Sequence, residues 1–132
     1  MPQRHLILFA HGARDPEWAR PLEALRERVA TLAPDCTVTL AYLEFMSPGL
    51  MEAVATQVRA GAADITVVPV FLAQGGHLKR DLPLMLAELR AAHPAVALSV
   101  LPAIGEQPAV IEAIANCVAE VSGAADRPAG AR

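Results

Sequence analysis

The chain has 132 residues, which suits one domain with one core. Apolar residues make up 54% of it and aromatic ones only 4%, so the core must be Ala, Val, Leu and Ile, as in layered α/β proteins. A net charge of −3 without a Lys/Arg-rich run excludes a typical nucleic-acid binder, and the apolar runs are too short to span a bilayer.

Met1-Pro-Gln-Arg-His5 leads into five apolar residues, shorter than a secretory signal core and followed by no cleavage-like site, so a cytoplasmic location is expected. His5 to Ala10 reads as a strand of a parallel sheet covered on both faces. His11 to Asp15 is a loop. Asp15 is the expected N-cap, and Pro16 suits a first helical turn. Trp18, Leu22, Leu25, Val29 and Leu32 then recur at helical spacing until Pro34.

Thr37 to Phe45 is a second expected strand, with Glu44 at its end. Ser47-Pro48 is a helix start signal, and Leu50, Met51, Val54 and Val58 form that helix's apolar stripe, closed by Gly61. Asp64 to Leu72 is the third strand. Pro69 removes a ladder donor there, so a bulge or an unpaired position is expected. Gln74 to Arg80 reads as a loop, and Asp81 and Pro83 as the start of a third helix ending at His93-Pro94. Val96 to Leu101 is the fourth strand. Val110, Ile111, Ile114, Val118 and Val121 mark the last helix. The domain is therefore expected over residues 1–121, with a flexible tail over 122–132. Cys36, opening a strand, and Cys117, on the last helix, match no metal or redox spacing and are expected to be buried free thiols.

Four successive β-α units predict a three-layer, doubly wound, four-stranded parallel sheet in the flavodoxin-like order 2-1-3-4. Strands 1 and 3 are then neighbours whose helices leave to opposite faces, and ligands bind at such a switch point. His11 follows strand 1, His77 follows strand 3, and Glu44 ends strand 2. Two imidazoles and a carboxylate suit a divalent first-row metal, or proton removal near neutral pH. Arg14, Lys79 and Arg80 suit a ligand bearing carboxylates or phosphates. Gly12, Gly75 and Gly76 would let a large flat ligand approach the backbone. Taken singly, each residue also has a structural reading. His11 or His77 could be a hydrogen-bonded loop residue, Glu44 a solvated carboxylate, and Lys79 and Arg80 a surface pair. His5 and His93 carry only that reading, and Met46, Met51 and Met85 are core or rim residues.

Leu6-Ile-Leu-Phe-Ala-His-Gly-Ala-Arg-Asp-Pro16 resembles the opening of the short-form sirohydrochlorin cobaltochelatases, CbiX-like members of the class II chelatases. Val67-Val-Pro-Val-Phe-Leu-Ala-Gln-Gly-Gly-His-Leu-Lys-Arg-Asp-Leu-Pro83 resembles the family's second block, and Tyr42-Leu-Glu-Phe45 with Ser47-Pro48 its middle block. The similarity covers nearly the whole domain. It implies an ATP-independent lyase. Such an enzyme inserts a divalent metal into sirohydrochlorin, cobalt for cobalamin synthesis, with iron or nickel as other candidates, and needs no organic cofactor. It also implies His11 and His77 as metal ligands and proton acceptors, Glu44 as their catalytic partner, and a homodimer of chelatase-like halves. Arg14, Gly75, Gly76, Lys79 and Arg80 would hold the tetrapyrrole.

Several alternatives stand beside it. They are a sirohaem-pathway ferrochelatase, a metal or tetrapyrrole carrier without catalysis, and a flavodoxin-like nucleotide module, whose phosphate-binding glycines or hydroxyls are missing. A histidine phosphatase is a further rival, although Ala10 stands where that class needs a phosphate-binding Arg.

Overall fold

The computed structural model describes residues 4–125; the side chains of His77, Ala124 and Ala125 lie outside the described part, their backbone within it. The strands are β1 (Arg4–Ala10), β2 (Cys36–Tyr42), β3 (Asp64–Pro69) and β4 (Ala97–Val100). The helices are α1 (Arg20–Leu32), α2 (Leu50–Arg59), α3 (Gly76–Ala92) and α4 (Pro108–Ala125), with 3₁₀ turns at Pro16–Ala19 and Ile104–Glu106. All strand pairs are parallel and the order is β2-β1-β3-β4, as the β-α alternation predicts. No helix among the described residues is long and apolar enough to cross a membrane.

The strand order also distributes the helices. Parallel crossovers are right-handed, so the direction of each step across the sheet decides the face its helix takes. The step from β1 to β2 runs one way, while the steps from β2 to β3 and from β3 to β4 run the other. Helices α2 and α3 accordingly share one face, and α1 has the other. Ile7, Phe9, Ile65 and Val67 pack with Leu50, Val54, Leu82, Leu86 and Leu89 on the first face. Leu8, Ala10, Leu40, Tyr42 and Val68 form the second core, toward α1. Fully burying one such aliphatic side chain contributes about 1.5–3 kcal/mol.

Several local expectations change, and β3 stops at Pro69, short of the expected Leu72. Helix α3 begins at Gly76, a full turn before the Asp81-Pro83 signal, and Pro83 lies inside it. Leu78 and Leu82 explain this: both are buried and extend the stripe of Leu86 and Leu89. Burying them outweighs the N–H that Pro83 lacks, and its ring is exposed. His77, Lys79 and Arg80 therefore lie on the first turns of a helix, not on a loop. Strand β2 ends at Tyr42, which leaves Glu44 on the following loop. Cys36 is half-buried, but Cys117 is exposed, because among the described residues no element covers its side of α4. Helix α4 also continues to Ala125, past Val121; the rest of the expected tail, residues 126–132, lies outside the described residues.

Pro69 makes no bulge, and its register with Phe9 is continuous. The N–H of Val70 donates to Phe9, and the carbonyl of Val67 accepts from Leu101. By alternation the missing donor of Pro69 points toward β4, one step beyond the last β3–β4 pair at Val67 and Val100. The position is unpaired, as one of the two expectations had it.

At the opposite end of the sheet, His5 and Gln57 are buried polar residues. The Gln57 amide nitrogen donates to the Thr39 hydroxyl, so its oxygen accepts from Nδ1 of His5. Replacing Gln57 by Leu leaves a buried imidazole N–H without an acceptor. Chemical denaturation of that variant should show a loss of about 1–3 kcal/mol.

Candidate active site

The loops at the C-terminal ends of β1 and β2 are joined by backbone hydrogen bonds. Leu43 N–H donates to Ala10 O at 2.8 Å, and Glu44 N–H donates to His11 O at 3.0 Å. His11 and Glu44 are thereby brought together through their main chains. Gly12 makes the approach possible. Its φ is +86°, and a Cβ there would lie 1.9 Å from the Glu44 carbonyl oxygen. The space at Gly12 is thus filled by the protein itself, which corrects the expectation that it is kept open for a ligand. Gly75 and Gly76 differ: nothing lies within 4 Å of a Cβ built on either. Both are exposed, Gly75 as the N-cap of α3 and Gly76 as its first residue.

His11 is exposed, and its ring meets Phe71 edge-on with centroids 4.5 Å apart. Phe71 lies two residues beyond β3, so this contact ties the ends of the two central strands together. Beside His11 is a hollow of about 370 Å³ walled by Trp18, Leu22 and Val70. A second hollow, of about 340 Å³, is lined by Arg14, Glu23, Tyr42 and Phe45. The guanidinium of Arg14 sits 4.7 Å above the Phe45 ring, a cation–π contact. Phe45 is 57% exposed and held at φ +66°.

The expected cations do not gather on one side. Arg14 stands with Phe45 on the side of α1. Lys79 lines a separate hollow of about 290 Å³ between α3 and the end of β4. Arg80 donates from Nε to the Gly76 carbonyl at 3.4 Å. His77 is the second residue of α3, so its backbone follows β3 as His11 follows β1. Among the described residues, no group of three or more His, Cys, Asp or Glu side chains is placed to hold a metal.

The aromatic residues escaped the site reading from sequence. Only three Phe, one Tyr and one Trp occur in the chain. Trp18, Tyr42, Phe45 and Phe71 all surround the strand ends just described. The signal was present, since a scarce residue class falls repeatedly beside the strand ends, but each residue alone read as strand or helix stripe.

Burial, and secondarily the negative charge of Glu23, push the Tyr42 phenol above its usual value of 10.0. A raised folded-state value means that the unfolded chain loses this proton first. Stability should therefore be intact below pH 10.0 and fall as pH rises toward the folded-state value. Thermal melts above that pH should show a shallower decline for Tyr42→Phe than for the unaltered protein.

The CbiX family model matches residues 5–121. A sirohydrochlorin cobaltochelatase of Methanopyrus kandleri is 40% identical over 81 residues, which are 61% of this chain and 57% of that protein. The chain thus spans less than two thirds of that relative. Among solved structures, a CbiX protein from Marinobacter aquaeolei superposes with a TM-score of 0.80 at 34% identity, over 91% of this chain and 98% of that one. The cobalt complex of the sirohydrochlorin chelatase SirB from Bacillus subtilis gives 0.73 at 23% identity, over 90% of this chain but 51% of that one, a likeness of fold.

Proposed function

The chain belongs to the CbiX family, and from that membership we propose that it inserts a divalent metal, cobalt in the first instance, into sirohydrochlorin. The observation that carries this reading is the adjacency of β1 and β3, the first followed directly by His11 and the second, eight residues on, by His77 at the start of α3. The segments of His11 and His77 leave the sheet side by side, and that of Glu44 is bonded to His11.

The chemistry is an exchange in which one divalent ion enters the macrocycle and two pyrrole protons leave. A neutral imidazole can hold a first-row metal or accept a proton, so His11 and His77 serve as ligands on entry and proton acceptors as the ring closes on the metal. Glu44 offsets the positive charge. Trp18 and Phe45 offer apolar walls to a flat ring, and the open space before Gly75 and Gly76 admits its edge. Arg14, Lys79 and Arg80 pair with peripheral carboxylates.

The reading includes a cytoplasmic homodimer: this fold matches 51% of the Bacillus chelatase chain, so a second copy would supply the counterpart of the other half. Ala10 speaks against the phosphatase reading, because it is a core residue of β1, 1% exposed, where a phosphate-binding arginine would have to stand. Anaerobic incubation with sirohydrochlorin and cobalt, nickel or iron in turn, followed by absorbance, tests the proposal. Conversion to a metallated spectrum with catalytic turnover is expected for cobalt. Binding without metallated product would identify a carrier instead.

A further inference from the structure

The loops at the C-terminal edge of the sheet are locked in two pairs, each by a glycine. Gly12 seats the loop after β1 against the loop after β2. Gly105, in the 3₁₀ turn after β4, does the same for the loop after β3. A Cβ on Gly105 would collide with the Leu72 backbone, its carbonyl carbon lying 2.7 Å away. The N–H of Gly105 donates to the Phe71 carbonyl at 2.9 Å. Among the described glycines, only Gly12 and Gly105 would bring a Cβ within 3.0 Å of another segment.

The turn that carries Gly105 is itself fixed. Ala103 before it is fully buried in the core beneath α2 and α3, and Ile104 packs on the core toward α1. The loop it meets is exposed at Leu72, Ala73 and Gly75, but Phe71 is only 7% exposed and anchors it. The Phe71 ring meets both the Phe9 ring, edge-on at 6.1 Å, and the His11 ring, at 4.5 Å. Among the described residues, the His11 imidazole has no hydrogen-bond partner, and Phe71 is its ring contact. The bond from Glu44 reaches the His11 carbonyl, so it holds the backbone and not the ring.

We propose that Phe71 is a positioning residue for His11, setting the orientation of its imidazole, and that Gly105 acts through Phe71 by clamping its loop. This rests on the role given to His11 in the function proposed above. An exposed imidazole turns easily, because its outer torsion has a broad, roughly two-fold well. It can take a metal or a proton only with a ring nitrogen turned toward it, and a reacting group must be held within about 0.5 Å. An edge-on ring pair favours one arrangement by a factor of about 2–13. The Gly12 lock thus fixes where His11 stands, and Phe71 fixes which way its ring faces. Phe71 can do this only if its own loop is still, which is what Gly105 secures from the far side of β3.

Nuclear magnetic resonance of the full chain reads the contact directly, with the His11 ring signals identified by their loss in His11→Ala. The parent should show cross-relaxation between the His11 and Phe71 ring protons, and a His11 signal displaced by the Phe71 ring current. In Phe71→Leu and Gly105→Ala that signal should move toward the position of a free imidazole. Both variants should lose about 10-fold in kcat for metal insertion, with KM for sirohydrochlorin unchanged. Phe71→Tyr keeps the ring and should restore both signal and rate. Leu89→Ala truncates the same core at the far end of α3 and should lose stability without moving the His11 signal or kcat. Absent cross-relaxation in the parent overturns the proposal without any variant having to fold. A parental His11 signal in Phe71→Leu or Gly105→Ala, or an equal loss of kcat in Leu89→Ala, also overturns it. A parent that inserts metal while its His11 ring turns freely overturns the positioning alone. A parent that shows the ring contact but inserts no metal overturns the chelatase reading, and the task of His11 with it.

Discussion

Replacing His11 by Ala should lower the rate of metal insertion by about 10²–10⁴-fold and leave the melting temperature almost unchanged. The side chain is exposed, and its ring contact is with Phe71 at 4.5 Å. Truncating it opens no cavity in either core cluster, neither of which includes His11. His77→Ala should act in the same way, since the proposal gives both imidazoles the same work. The readout is absorbance-monitored insertion of cobalt into sirohydrochlorin, paired with a thermal melt of each variant. A fully active His11→Ala or His77→Ala protein would remove that residue from the mechanism, whereas a variant that is both inactive and unfolded would show a structural role.

Gly12→Ala should damage both stability and activity. The positive φ alone costs an alanine about 1–3 kcal/mol, and the added methyl would sit 1.9 Å from the Glu44 carbonyl oxygen. That oxygen is backbone and cannot swing aside as a flexible side-chain tip would. The neighbouring hydrogen bond from Glu44 to His11 holds the same two segments together. Relief therefore requires the loops after β1 and β2 to part, carrying His11 with them. A displacement of this kind near the reacting centre costs about 10²-fold in rate.

Gly75→Ala is the informative control. Its backbone is at φ −70° and the space before it is open, so its stability should stay within about 0.5 kcal/mol of the parent. Any loss there should appear in KM, since the methyl would intrude only on what binds. Denaturant titration and steady-state kinetics on both variants separate the two cases. A Gly12→Ala protein of parental stability would show that the loops yield more easily than their hydrogen bonds suggest.

The amino-acid sequence by itself determined the elements and their layering. Apolar runs at His5 to Ala10 and around Ile65 to Val68, separated by helical stripes, left a parallel sheet as the natural solution, and the handedness of crossovers restricted its order. Asp15 capping the first turn and His93 ending α3 were also legible, because caps and breakers act within a few residues. The adjacency of the strands preceding His11 and His77 followed from that order.

Only the tertiary structure decided where competing local signals gave way. Pro83 reads as a helix start until Leu78 and Leu82 are seen buried against the sheet, so α3 begins earlier and carries His77 on its first turn. Glu44 reads as a strand residue, but it lies on a loop whose course is set by the approach of Gly12 from another segment. Cys117 reads as buried because its helix is apolar, yet it is exposed among the described residues. The common reason is range. Propensity, capping and periodicity act between near neighbours in sequence, whereas Gly12 with Glu44 and His11 with Phe71 depend on segments that only folding brings together.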